Sequence, residues 1–209
     1  MPTDLQLTER TRETRDRLLR IARARFEQDG YAGTSISSIV EGAEVSRGTF
    51  YLYFSSKEDI FRTLAQELQG DVVHIQDWPR RLRPQEVIER SIAGFMDFYR
   101  DNARMMAVLE QVATYDSSFR SLRRDMRRSV ADRAVRFIAD LQQRGAIGSE
   151  LDPRIAGTAL TGMVDRFAYV WHILDEEFDQ DEVVGNLTRL WMQAIGAPLD
   201  DPAGSPTQP

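Results

Sequence analysis

Arg47, Gly48, Thr49, Tyr51, Leu52 and Tyr53 fall within seven residues. Placed on a helix, they offer a guanidinium, a hydroxyl and two phenols to whatever lies outside. Such groups donate to phosphate oxygens and to base edges in a major groove, and a leucine among them suits a thymine methyl. Phe50 and Phe54, four residues apart, share one face and anchor it in a core. At about 100° per residue, the direction away from that anchor centres on Leu52. Gly48 and Thr49 lie beside it, and Tyr51 and Tyr53 form its shoulders. A glycine in a helix interior costs roughly 1 kcal/mol, a cost that fits close approach of another backbone.

The flanking residues show what must position this face. Ser35 caps a short helix from about Ile36 to Ala43, in which Ile36, Ile39 and Val40 make one buried stripe. Glu44-Val45-Ser46 suits the turn of a helix-turn-helix, and Ser46 caps a second helix, Arg47 to Tyr53. Ser55-Ser56 caps a further helix whose first turn holds Lys57. The helix dipole disfavours a cation there unless an anion docks at the same end, and a phosphate qualifies. Thr34, Ser46 and Lys57 are the candidate phosphate contacts. The competing reading is an ordinary packed helical pair, since this geometry also occurs without DNA binding.

The 209 residues allow one substantial domain or two small ones. No run of 18 apolar residues spans a membrane, and the N-terminus lacks a basic-then-apolar export pattern, so a cytoplasmic protein is expected. The absence of cysteine excludes disulfides, thiolate nucleophiles and cysteine metal sites. A net charge of −6 argues against nucleic acid until its distribution is considered. Between Arg10 and Lys57 nine cations face six acids, which leaves the rest of the chain at −9. A mildly basic end on an acidic body suits oriented binding to DNA with moderate salt dependence.

The pattern is helical almost throughout, with no strand-like alternation and no internal repeat. The fold class is all-α, about nine helices. A helix from about Thr11 to Asp29 buries Leu18, Leu19, Ala22 and Phe26 and stops at Gly30. The short pair follows, then a helix from Ser56 to about His74. Asp77-Trp78-Pro79 and Pro84 punctuate a connector. Helices are then expected from Pro84 through Tyr99, from Asn102 to Val112, from a Ser117 or Ser118 cap to Gly145, from Pro153 to about Leu174, and from an Asp179 cap to about Ile195. The domains read as a head at 10–56, a larger helical body at 57–196, and a disordered tail at 197–209.

No catalytic constellation, cofactor motif or metal-ligand spacing stands out. His74 and His172 are far apart, and no HExxH or glycine-rich phosphate loop is present.

Two helices of the body offer wide apolar arcs. Leu160, Val164, Phe167, Trp171 and Leu174 recur at spacings of four and three. Val183, Leu187, Leu190 and Ala194 form one stripe of the last helix, and Val184, Leu187, Trp191 and Ile195 another. Arcs this wide can face a core and a partner together. Leu160, Val164, Trp171, Val183, Leu187, Leu190, Trp191 and Ala194 are the candidate dimer interface, and burial within one chain is the alternative.

The stretch FEQDGYAGTS followed by ISSIVEGAEVSRGTFYLYFSSKEDIF resembles, in order and spacing, the DNA-binding domain of the TetR family of bacterial regulators. The resemblance covers about Arg15 to Leu68. It departs at Glu44, where the family often has a glycine; a positive φ there stores strain of order 1 kcal/mol. The resemblance implies a ligand-responsive transcriptional regulator, usually a repressor, that binds a palindromic operator in double-stranded DNA. It also implies a homodimer paired through a four-helix bundle of the last two helices, and a small-molecule effector that shifts the helix starting at Ser56. The competing function is an all-helical small-molecule-binding protein without DNA recognition. An enzyme using Asp165, Tyr169 and His172 is a third reading.

The body offers Phe95, Met96, Tyr99, Met105, Met106, Leu109, Phe137, Met163 and Phe167 to a largely hydrophobic effector, though such residues also fill ordinary cores. Polar residues in the apolar runs add candidates. The ligand-binding set is Phe95, Tyr99, Met106, Glu110, Phe137, Met163, Arg166 and Tyr169. Arg120, Arg123, Arg124, Arg127 and Arg128 read as solvated, with an acidic ligand such as an acyl-CoA as the alternative.

Overall fold

A kink, not an end, marks the first glycine signal of the chain. In the computed structural model, which describes residues 4–74 and 82–199, α1 runs Asp4–Gly33 and breaks its helical path at Gly30 (φ 70°, ψ 173°). Gly30 carries the left-handed φ that a side chain would resist. The extra turn brings Tyr31 back over the core, where its ring stacks on Phe26 at 5.8 Å and meets Phe61 edge-on at 4.9 Å. The expected connector around Trp78 and the tail from Asp200 lie outside the described residues, as does the side chain of His74.

α2 (Ile36–Gly42) and α3 (Arg47–Tyr53) follow with the expected caps. Ser35 accepts from the Ser38 amide and Ser46 from the Thr49 amide. α4 spans Lys57–His74 and buries Ile60, Phe61, Leu64, Ala65 and Leu68.

Where separate helices from Pro84 and from Asn102 are expected, one helix, α5 (Pro84–Tyr115), runs through. Asn102 does not break it because its buried side chain donates to the Phe98 carbonyl one turn earlier, at 2.8 Å. The chain thus has eight helices among the described residues and no strand. α6 (Ser117–Gln143) starts at a different cap from the serines expected. Asp116 accepts from the Ser118 amide at 2.8 Å and the Ser118 hydroxyl at 2.7 Å. α7 (Pro153–His172) begins behind an Asp152 cap with proline in its first turn, and α8 (Gln180–Ala194) behind Asp179. No helix among the described residues is long and apolar enough to cross a membrane.

The chain divides into two compact units. The first takes the residues up to Gly70 with Arg104–Asp125, and an aromatic cluster of Phe26, Tyr31, Phe61 and Phe119 lies within it. The second takes Asp71–Ala103 with the residues from Met126 onward. Its core includes Met96, Tyr99, Ile138, Leu141, Ala168, Leu187, Trp191 and Met192.

Candidate nucleic-acid interface

Phe50 and Phe54 are sealed in the first unit, with 0% and 3% of their surface accessible, while Leu52 is 81% exposed and Tyr51 56%. The two-faced helix expected for α3 is therefore present. Arg47 and Gly48 are exposed with them, and Thr49 and Tyr53 are half-buried. A Cβ added to Gly48 meets only the Ser46 hydroxyl, at an ordinary 3.5 Å. The protein's own packing does not demand a glycine there.

The turn that aims α3 closes on backbone bonds. Ala43 donates to Ile39 at 2.9 Å, and Val45 to Val40 at 3.0 Å. Glu44 sits at φ 53°, so the departure from glycine does place a side chain in the left-handed region. Arg47 is held from the other side of the turn: its guanidinium donates to the exposed hydroxyl of Ser37 on α2. Nothing in the sequence reading singled out Ser37; a serine on the solvent face of a helix ten residues before an arginine carries little signal.

Two of the three candidate phosphate contacts are placed differently from expectation. Thr34 is 2% exposed and its hydroxyl donates to the Gly30 carbonyl at 2.8 Å, so its only O–H serves the end of α1. Lys57 donates to the carbonyls of Tyr31 at 2.8 Å and Thr34 at 2.9 Å. The cation at the start of α4 thus answers the negative end of α1, which resolves its apparent conflict with the α4 dipole. One N–H of the ammonium remains for a phosphate. Ser46 stays exposed, with its oxygen accepting from the Thr49 amide at 3.0 Å. Nearby, Tyr31 donates to Glu58 at 3.1 Å. Backbone and Ser56 hydrogen bonds at the start of α4 hold the Glu58 carboxyl below the usual carboxylate range, and burial pushes the Tyr31 phenol well above its usual value.

A sequence model of bacterial regulatory proteins of the tetR family matches residues 18–64. That of the C-terminal domain of transcriptional regulator EthR matches residues 88–197, more than half of the chain. The chain belongs to the tetR family of bacterial regulatory proteins. It is a ligand-responsive, DNA-binding transcriptional regulator. The fatty acid metabolism regulator protein of Bacillus subtilis is 23% identical to this tetR-family chain over 177 residues, 80% of this chain and 88% of that one. The HTH-type transcriptional repressor BepR of Brucella suis is 24% identical over 199 residues, 91% of this chain and 95% of its own. The solved structure of the fatty acid degradation regulator FadR from Bacillus halodurans shares the fold, with a TM-score of 0.72 at 21% identity, over 86% of this chain and 94% of that one.

The effector residues expected in the tetR-family body fall in both compact units. Met106 and Glu110 belong to the first compact unit and the other six to the second. Glu110 accepts from Arg123 at 2.6 Å, an ion pair in which the arginine side chain is only 8% exposed. Arg166 is exposed and lies 4.6 Å from the centre of the ring of the half-buried Tyr169. Phe95 and Tyr99 are core, and Phe137 and Met163 half-buried. Asp165 pairs with Arg127 at 2.9 Å. His172 stacks on Trp171 at 4.4 Å, and burial, then the charge of Arg100, holds its imidazolium below the usual range. An open cleft of about 550 Å³ in the second unit is lined by Arg100, Ala103, Trp171, His172, the 175–177 acids and Phe178. Of these, Trp171 belongs to the expected dimer set and His172 to the alternative enzyme reading.

The residues of the expected dimer stripe differ in exposure. Val164, Val183, Leu187 and Trp191 are buried within one chain, and Leu160 and Trp171 are half-buried. Leu190 (50% exposed) and Ala194 keep the outward position. Ile155, outside the expected set, is 71% exposed on α7. Apolarity marks both faces of such a helix without saying which one the chain itself covers.

Proposed function

We propose that this regulator is a cytoplasmic repressor that binds a palindromic operator as a homodimer and releases it when a mostly apolar small molecule occupies the body. The observation that carries the reading is the division of α3: Phe50 and Phe54 hold it while Tyr51 and Leu52 stand in solvent. Arg47, Gly48, Thr49, Tyr51, Leu52 and Tyr53 enter the major groove, and Ser46 and Lys57 take flanking phosphates. A two-fold dimer sets two such helices in successive grooves, roughly 34–36 Å apart. Ile155 on α7 and Leu190 with Ala194 on α8 are apolar groups left exposed for a second copy. The body has a largely apolar core, yet Thr188 Oγ1, Trp191 Nε1 and His172 Nε2 are buried in it without a hydrogen-bond partner. Buried polar atoms without partners are rare, and they suit a polar group on an otherwise apolar effector.

The test is selection of the purified protein against a random duplex library at near-physiological salt. An enriched inverted repeat, lost in Tyr51→Ala, supports the reading. Enrichment that survives Tyr51→Ala unchanged would overturn the assignment of this face.

A further inference from the structure

Charge at the open cleft of the second unit is lopsided. Arg100 lines the cleft, but its guanidinium is already answered by Asp97 at 2.8 Å and Asp101 at 3.1 Å. Asp175, Glu176 and Glu177 line it as well. All three are exposed, and among the described residues none of them makes an ion pair. His172 adds no positive charge, because burial and the nearby Arg100 favour its neutral imidazole. The cleft therefore repels a carboxylate or a phosphate and attracts a cation.

Its uncharged walls are aromatic. The rings of Trp171 and Phe178 stand 6.1 Å apart with their planes at 83°, so that together they form a corner. His172 stacks behind Trp171 at 4.4 Å, and Phe167 backs Phe178 at 5.0 Å. A positive charge is drawn to the faces of such rings, to tryptophan most of all. His172 also brings the buried Nε2 that has no hydrogen-bond partner. In a neutral imidazole that nitrogen can accept from the N–H of an ammonium group.

The size of the space separates two kinds of cation. About 550 Å³ suits a small organic molecule, and among the described residues no group of three or more acidic or histidine side chains is placed to hold a metal ion. The mouth is also fixed before anything binds. Gln180, at the start of α8, donates to Asp97 at 3.0 Å and accepts from Arg100 at 3.2 Å, which ties α8 to α5. A site already in shape loses less affinity to ordering.

We infer that this cleft binds an organic cation, with an ammonium group in the Trp171–Phe178 corner balanced by Asp175, Glu176 and Glu177. The inference rests on the proposed reading of the body as the effector-binding part, and it adds a positive charge to the largely apolar effector.

The experiment titrates the full-length protein by calorimetry with three probes on one scaffold: 4-phenylbutylammonium, 4-phenylbutanol and 4-phenylbutyrate. The ammonium should bind at least tenfold tighter than the alcohol, and the carboxylate weakest of the three. The double variant Glu176→Gln with Glu177→Gln should lose that preference and keep the wild-type melting temperature, since neither side chain is bonded in the fold. Phe178→Leu keeps an apolar side chain and removes the ring, so it should weaken the ammonium more than the alcohol. No binding of the ammonium, equal binding of ammonium and alcohol, or an unchanged preference in the double variant overturns the site. Operator affinity is measured by fluorescence anisotropy with and without the ammonium. A cation that binds with the expected preference and leaves operator affinity unchanged supports the site and overturns the reading of effector release beneath it.

Discussion

Lys57 meets Tyr31 twice: its ammonium lies 4.4 Å from the centre of the phenol ring and donates to the Tyr31 backbone carbonyl at 2.8 Å. One side chain thus closes the end of α1, covers the ring that follows the Gly30 kink, and starts α4. With the Thr34 carbonyl as second acceptor, the ammonium joins residues 23 and more positions apart in the chain.

Lys57→Met should therefore act on stability as well as on DNA. The loss of charge-assisted bonds to two carbonyls is worth about 1–2 kcal/mol at a part-buried site. The expected outcome is a lower melting temperature together with weaker operator binding. Thr34→Val should lower the melting temperature alone, since its hydroxyl serves Gly30. A Thr34→Val protein with normal stability and impaired DNA binding would restore the phosphate role to that residue.

Glu44 and Gly48 call for opposite substitutions. Glu44→Gly removes a side chain held at φ 53° and should stabilise by about 1 kcal/mol with operator affinity retained. Gly48→Ala should also stabilise, by about 0.5–1 kcal/mol, but with at least tenfold weaker DNA binding because the methyl group occupies the approach of the duplex. Thermal melts beside anisotropy titrations separate the two, and unchanged affinity in Gly48→Ala would remove the argument for close approach.

Leu190 and Leu187 stand three residues apart on α8 with opposite environments, 50% against 4% exposed. Leu190→Glu should give a folded monomer by light scattering, with weakened operator binding. Leu187→Glu buries a charge in the chain's own core and should lose the cooperative fold, a cost of several kcal/mol. A dimeric Leu190→Glu protein would place the interface elsewhere.

The lowered pKa of Glu58 sets a direction for acid. Its carboxylate bonds to backbone, Ser56 and Tyr31 favour the charged form, so the folded value lies below the unfolded one. That contribution is present above the ordinary carboxylate pKa of 4.5 and is lost as pH falls through the lower folded value. The melting temperature of Glu58→Gln should consequently fall less between pH 5 and pH 3 than that of the wild type. Parallel curves would show that the bond is not populated in solution.

The head was largely legible because its information is local. Phe50 and Phe54 are one helical turn apart, the caps at Ser35 and Ser46 precede the residues they serve, and Gly30 announces a break. The misplacements have a common origin in contacts between distant residues. Thr34 and Lys57 look like free donors until the end of α1 is folded against the start of α4. Asn102 looks like a helix breaker until its amide finds Phe98 in a buried setting. In α7 and α8 the apolar arc is wider than one core needs, and its division between chain and partner depends on packing that periodicity does not encode.

The bond from Arg47 to Ser37 makes the proposed reading surface the property of two helices. Transplanting residues 47–53 alone onto another helical scaffold would carry the tyrosines and leave the guanidinium unheld, free to sample rotamers that ordering on DNA must then remove. The smallest portable unit is the segment from the Ser35 cap to Phe54, turn included. Chimaeras built on that segment should keep operator preference, whereas those built on α3 alone should keep only weak affinity for any duplex.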